Sequence, residues 1–285
     1  MESVAINILN GITFGMILFL IASGLSIIYG FMGVLNLAHG ALYVLGAYVG
    51  FAAVNYSFPF GIAIFISGIV IGLVGLLLER IFLKHLHKQI NEQVLLTLGF
   101  VYVISNLVKW IWGSNAILVE SPAILSGSIN IGNANFPVYR LIVIAIGLAL
   151  AAILWLLTEK TRIGSIIRAG IDNKEMTAAL GVNYELVSSV VFVMGAFVGG
   201  AAGFVGLPII AVYPGIIFDV LLWALIVIVV GGVSRIEGVL LGSLVIGLID
   251  SLGRAYFPDF AYFTMYLAMI IILLVKPKGL LTRGR

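Results

Sequence analysis

Val220-Leu-Leu-Trp-Ala-Leu-Ile-Val-Ile-Val-Val230 is an unbroken apolar run. It shows neither the alternation of a half-buried strand nor the polar stripe of a surface helix. A segment without a polar face suits lipid rather than a boundary with water. Reading outward, Leu186–Phe218 carry no Asp, Glu, Lys or Arg, and residues 3–78 carry none either. The hydrocarbon core of a bilayer is about 30 Å thick and takes roughly 20 apolar residues to cross. Composition agrees: 62% of the residues are hydrophobic and 9% charged, with a mean hydropathy of +1.22, whereas soluble domains carry about 25% charged residues.

Backbone amides in lipid must be satisfied within the segment or within a closed barrel, and barrel strands alternate. The chain is therefore expected to be an all-α polytopic membrane protein of about 8–9 helices with broken or re-entrant segments, a single transmembrane domain over residues 1–285. Hydropathy places spans near 5–29, 37–56, 59–79, 94–113, 138–158, 187–208, 217–232, 237–254 and 261–275. The start, Met1-Glu2-Ser3, lacks the positive region of a cleavable signal, so the first segment is expected to be a retained span. The absence of cysteine excludes disulfides, thiolate metal sites and cysteine nucleophiles. The basic pI near 9.1 reflects membrane topology, since no stretch is both basic and aromatic enough to hold nucleic acid.

Of the 15 Lys and Arg, all but Lys109, Arg140 and Arg254 fall in the connection Arg80–Lys88, the connection Lys160–Lys174, the turn at Arg235 and the tail from Lys276. Basic residues stay cytoplasmic. These connections and the C-terminus are thus expected inside, and the N-terminus on the periplasmic side. Residues 114–137 hold Asn115, Glu120, Pro122, Ser126, Gly127, Ser128, Asn130, Asn133, Asn135 and Pro137 without a basic residue, and read as an outer, exposed loop.

The cytoplasmic connection 159–186 carries the most specific pattern: Arg168-Ala-Gly-Ile-Asp172-Asn-Lys-Glu175-Met-Thr-Ala178-Ala179-Leu-Gly181. Asp172 or Asn173 can cap a short helix through Leu180, Glu175 favours its first turn, and Gly181 ends it. Ala178 and Ala179 would give that helix a small-sided surface another protein's groove could accept. A plain connecting loop is the alternative reading.

Glu175-x-x-Ala178-x-x-Gly181 resembles the coupling loop of ABC-importer permeases. Gly33-Val-Leu-Asn36-Leu-Ala38-His39-Gly40-Ala41-Leu-Tyr43 and Gly231-Gly232-Val-Ser-Arg-Ile-Glu-Gly238-Val-Leu-Leu-Gly242 resemble early and late stretches of the branched-chain amino-acid permeases of the LivH/LivM type. The resemblance implies an inner (plasma) membrane subunit, bacterial or archaeal, importing branched-chain or other aliphatic amino acids. It implies two ATPase subunits (LivG/LivF-like) that bind ATP and Mg and engage Arg168, Asp172, Glu175, Ala178, Ala179 and Gly181. It also implies a second permease subunit (LivM-like, or another copy) and a periplasmic binding protein. This chain itself is expected to need no cofactor and to contact membrane lipid but no nucleic acid. Sister permeases for urea and short amides share the pattern, so substrate is less sharply specified than family.

Asn36 and His39, three apart near Gly30, Gly33 and Gly40, would share one helical face beside a break. Polar groups in lipid face a cavity or another helix. Asn36, His39, Gly40 and Tyr43 are therefore candidates for the substrate pathway, against the alternative that they only join helices. Gly195, Gly199, Gly200, Gly203 and Gly206, with Gly68, Gly72 and Gly75, and Gly238, Gly242 and Gly247, form small faces suited to close packing. Asp250 is placed to pair with Arg254 near the outer end of its span, and Asp219 to lie at the interface. His85 and His87, beside Lys84 and Lys88, suit a solvated or headgroup surface rather than a metal site.

No Gly-x-x-x-x-Gly-Lys-Ser/Thr loop is present, so the chain is not expected to hydrolyse ATP itself, and no Gly-x-Ser-x-Gly elbow or His-Glu-x-x-His helix suggests an enzyme. A secondary transporter or passive channel, and a purely structural membrane subunit, are the competing readings.

Overall fold

The computed structural model describes residues 2–33, 35–86, 89–122, 125–131, 134–232, 235–277 and 279–281. Met1, Val34, His87, Lys88, Asn133, Val233 and Ser234, named above, lie outside the described residues, as do Lys278, Arg283 and Arg285 of the basic tail and the side chains of Asp172, Lys174 and Glu175. The helices run in the order α1 (Glu2–Met32), α2 (His39–Asn55), α3 (Phe60–Leu77), α4 (Ile90–Trp112), α5 (Val138–Lys160), α6 (Arg162–Asp172), α7 (Lys174–Ala179), α8 (Tyr184–Gly206), α9 (Ile217–Gly231), α10 (Ile236–Tyr256) and α11 (Thr264–Val275). Among the described residues, seven stretches are long and apolar enough to cross a membrane, while α2 with 17 residues and α11 with 12 are shorter. Each of the nine expected spans has its helix.

The small-residue faces are where the bundle is tightest. α8 lies among α1, α2 and α3. A Cβ on Gly195 would fall 2.6 Å from the Gly24 carbonyl oxygen of α1, and one on Gly203 would collide with the Tyr43 carbonyl of α2. One on Gly200 would meet Ile71 Cβ of α3 at 2.5 Å, and one on Gly75 of α3 would meet Ala196 Cβ at 2.5 Å. Without a hydrophobic drive between helices in lipid, such backbone-to-backbone approach supplies the dispersion contact. Ser67 Oγ lies 2.7 Å from both the Gly46 and Gly200 carbonyl oxygens, its single proton shared across three helices. α10 packs on α1 through Gly247 against Gly15, and on α9 through Gly242 against Gly231.

Three local features differ from the sequence expectation. Asn36 is not on a helix with His39. Gly33 adopts φ +70 and ends α1; Asn36 Oδ1 then accepts from Ala38 N at 3.1 Å, turning the chain into α2. The 159–186 connection holds a second helix, α6, ahead of the short one. Within 114–137 the chain forms an antiparallel hairpin of β1 (Ser128–Ile131) and β2 (Ala134–Pro137), with Ile129 opposite Phe136. Phe136 is buried and anchors the hairpin on the bundle.

Gly203→Ala is expected to destabilise the protein by about 1–3 kcal/mol, the usual cost of overpacking. Gly61→Ala, which meets nothing within 4 Å, should be close to neutral. Thermal unfolding in detergent, followed by loss of the monodisperse peak in size-exclusion chromatography, separates the two.

Candidate functional site

Three groups of residues have the placement a transport function would need. The first is the α6–α7 connection at the end of the bundle where α5 finishes and α8 begins. Thr161 caps α6 by accepting from Gly164 N, and Asn173 caps α7 by accepting from Met176 N at 2.9 Å. Asp172 is the last residue of α6 rather than a cap. Gly181 has φ +86, a left-handed conformation glycine adopts without strain. Between these caps α7 presents Ala178, Ala179 and Gly181 to the outside, flanked by Met176 at 60% and Leu180 at 78% exposure. Two large apolar side chains standing out beside two alanines form an exposed apolar knob, while Thr177 on the same helix is buried.

Arg168 sits differently. It donates to the Thr158 carbonyl and pairs with Glu159 Oε2 at 3.4 Å, so it closes the C-terminal end of α5 instead of joining the α7 surface.

The start of α8 connects this turn to the bundle. Tyr184 stacks on Phe31 of α1 at 4.8 Å between ring centroids and donates to the Phe31 carbonyl at 3.1 Å, and Gly170 of α6 also packs on the Phe31 ring. Glu185 Oε2 pairs with Lys84 at 2.8 Å. Ser189 donates to Glu79, whose buried carboxylate lies in a single π turn, Leu78–Phe82, that continues α3. Through these contacts the first residues after the knob hold the ends of α1 and α3.

The second group is Asn36, His39, Gly40 and Tyr43. All are buried, and the structure brings them together at the α1–α2 break. His39 Nε2 lies 2.9 Å from the Ile21 carbonyl, so this nitrogen carries the proton and donates to an acceptor that α1 presents. The imidazole fits between Gly24 and Gly199, whose added Cβ atoms would lie 3.0 and 2.9 Å from its Cε1. Gly40 packs on the Ile217 carbonyl of α9, and Leu37 N donates to Thr97 Oγ1 at 3.3 Å. In this conformation the four residues join α1, α2, α8 and α9.

The third group is a cavity of about 640 Å3 at the opposite end of the bundle from α7. Its wall includes Asn7, Asn10, Arg140, Asp219, Asp250 and Arg254. As expected from their spacing, Arg254 Nε and Asp250 Oδ2 pair at 2.7 Å. Arg140 donates to Asn10 Oδ1. Sequence reading singled out Asp219, Asp250 and Arg254 but not their meeting with Asn7, Asn10 and Arg140 in one cavity. Asn7, Asn10 and Thr13, each three apart on an otherwise apolar helix, and Arg140, a basic residue on the wrong side for the charge rule, were the available signals. At this end Ile117 and Val212 pair with each other through hydrogen bonds of 2.8 and 3.0 Å. Among the described residues no group of His, Asp and Glu is arranged to hold a metal, and His85 bonds the Ile81 carbonyl at 3.1 Å.

The family model described as "Branched-chain amino acid transport system / permease component" matches residues 7–275. The chain is 29% identical over 298 residues to the high-affinity branched-chain amino acid transport system permease protein LivH of Escherichia coli, covering 96% of this chain and 94% of that protein. It is 27% identical over 300 residues to the corresponding protein BraD of Pseudomonas aeruginosa, covering 97% and 95%. Against the probable branched-chain amino acid transport permease protein LivH of Methanocaldococcus jannaschii the identity is 26% over 291 residues, covering 96% and 91%. No solved structure matches.

Asn173→Ala removes the α7 cap and should cost about 1 kcal/mol locally. Amide hydrogen exchange across 174–180 is expected to quicken about fivefold, with exchange in α8 unchanged.

Proposed function

The chain belongs to the branched-chain amino acid transport system permease family, and from that premise we propose that it forms half of the translocation pathway of an ATP-driven importer of leucine-like amino acids. The observation that carries the reading is the exposed α7 knob, capped at both ends and joined without slack to α8. A permease with no nucleotide-binding loop needs force from another subunit, and this knob is a rigid apolar handle in reach of one. Two ATPase subunits grip it from the cytoplasm, in the orientation the basic connections dictate. Their ATP- and Mg-dependent closure presses on α7, and Tyr184, Glu185 and Ser189 pass the displacement to α1 and α3. The glycine-lined seams around α8 let those helices shift as rigid bodies, as alternating access requires. A second permease subunit, related or identical, supplies the facing half, and a binding protein on the outer side delivers the solute.

Asn36, His39, Gly40 and Tyr43 act in this scheme at the α1–α2 break. The His39–Ile21 bond and the Gly40 contact with α9 hold α2 against α1 and α9, so parting of these helices would open both, which makes the break a gate. Gly231, Gly232 and Gly238, in the late resembling stretch, pack the α9–α10 turn tightly beside the C-terminal segment, where Leu280 N donates to Val230 O at 2.8 Å.

Gly181→Asp and Glu175→Lys are expected to lower leucine uptake at least tenfold and to weaken ATPase co-purification, with the protein still inserted and folded. Uptake in proteoliposomes of the whole complex, with the pull-down run in parallel, measures both. Full uptake and full ATPase recovery in both variants would remove the coupling role of α7, and gradient-driven uptake by this chain alone would favour a secondary transporter.

A further inference from the structure

Resting on the reading of the chain as a permease for aliphatic amino acids, we propose that the polar cavity opposite α7 is a receiving site for a zwitterionic α-amino acid, with Arg140 facing the carboxylate, Asp219 and Asp250 the ammonium, and Phe14 and Trp223 the aliphatic side chain.

The charge pattern of the wall leads to this ligand class. Four charged side chains line the cavity in a chain that carries only 9% charged residues. Asp250 and Arg254 answer each other at 2.7 Å. That leaves Arg140, half-buried and donating to the neutral Asn10 amide oxygen, and Asp219; neither forms an ion pair among the described residues. Charge near a membrane is costly and persists where it is used. A simple anion would satisfy Arg140 and be repelled by Asp219, and a simple cation the reverse. A molecule carrying both charges satisfies both.

A second, independent observation concerns Asp250. It is 3% exposed, its Oδ2 is taken by Arg254, and its Oδ1 has no hydrogen-bond partner. A buried carboxylate oxygen without a donor costs free energy, and a rotation of the Asp250 side chain, which lines the cavity, would bring that oxygen to an ammonium group there. The apolar part of the wall suits the rest of the ligand. Phe14 and Trp223 meet edge to face, 5.9 Å between centroids, and Ile209 and Ile216 extend the surface.

Position supports a receiving role. Arg140 and Ile209 also line an adjoining groove of about 420 Å3 beneath the segment holding Glu120 and Ser126. A solute arriving over that segment passes Arg140 before reaching the cavity. Partly solvated charges bind weakly, which fits a station that must release its cargo onward.

The absence of cysteine from the chain gives a clean test. Ala255→Cys places a single thiol on the exposed cavity rim, outside the residues assigned to the ligand. The complete transporter, with ATPases and binding protein, is reconstituted in proteoliposomes and labelled with a charged methanethiosulfonate from the outer face. Leucine is expected to slow labelling several-fold, and leucinamide and isovalerate, each lacking one charge, to leave it unchanged. Adding Arg140→Gln should abolish protection and raise KM for leucine uptake about tenfold, with Arg140→Lys restoring part of both. Leucine uptake without protection, or protection and KM untouched by Arg140→Gln, would overturn the site. Equal protection by leucinamide or isovalerate would overturn its zwitterion selectivity. Failure of the Ala255→Cys and unsubstituted transporters alike to move any branched-chain amino acid would instead overturn the underlying reading, and the proposal with it.

Discussion

The approach of α8 to α1, α2 and α3 is the contact on which the rest of the structure depends. In lipid, helices gain little from hiding apolar surface against one another, and they associate through close packing and shared hydrogen bonds. Gly195, Gly200 and Gly203 make that packing possible by letting carbonyl oxygens and side chains of three helices occupy the space a Cβ would take. Ser67, bonded to carbonyls of α2 and α8 from its place on α3, pins the same junction with a polar contact. With α8 so enclosed, a displacement at its start cannot be absorbed locally. It must move its neighbours.

The same helix begins just after the exposed α7 knob, and this continuity links packing to function. Gly181 ends α7 with a left-handed turn, Asn183 caps α8 by accepting from Leu186 N at 3.1 Å, and Tyr184 at once stacks on α1. Few residues separate the exposed α7 surface from the residues that hold the ends of α1 and α3. At the far end of the bundle the Arg140 cavity lies against the first turns of α1, α5 and α9 and the last turns of α10. Handle and cavity thus share α1 as a common element.

Much of this was legible in the sequence because lipid allows few solutions. Long uncharged runs fixed the existence and kind of each spanning helix, and the spacing Asn173 to Gly181 marked both ends of α7 through capping chemistry. The Asp250–Arg254 pair followed from their separation of one helical turn. What stayed hidden was set by contacts distant in sequence. Asn36 and His39 were read as sharing a helix, yet Gly33 takes φ +70 and Asn36 turns the chain by accepting from Ala38 N. The hairpin at 128–137 was obscured by its density of turn formers, and only Phe136, buried under it, gives the segment a reason to order. The Arg140 cavity had no motif at all, since Asn10, Arg140 and Asp219 come from three helices. Family membership, evident over residues 7–275, and the local geometry thus inform different parts of the account.

The central claim is that α7 faces the compartment that holds the ATPases and is covered by them. A single cysteine in place of Leu180, unique in this chain, measures it directly with a membrane-impermeant maleimide. The account predicts labelling in inside-out vesicles but not in intact spheroplasts, and shielding of the thiol once the ATPase subunits are present. Labelling from the outer face of intact spheroplasts would contradict it, because no cytoplasmic motor could then touch the helix.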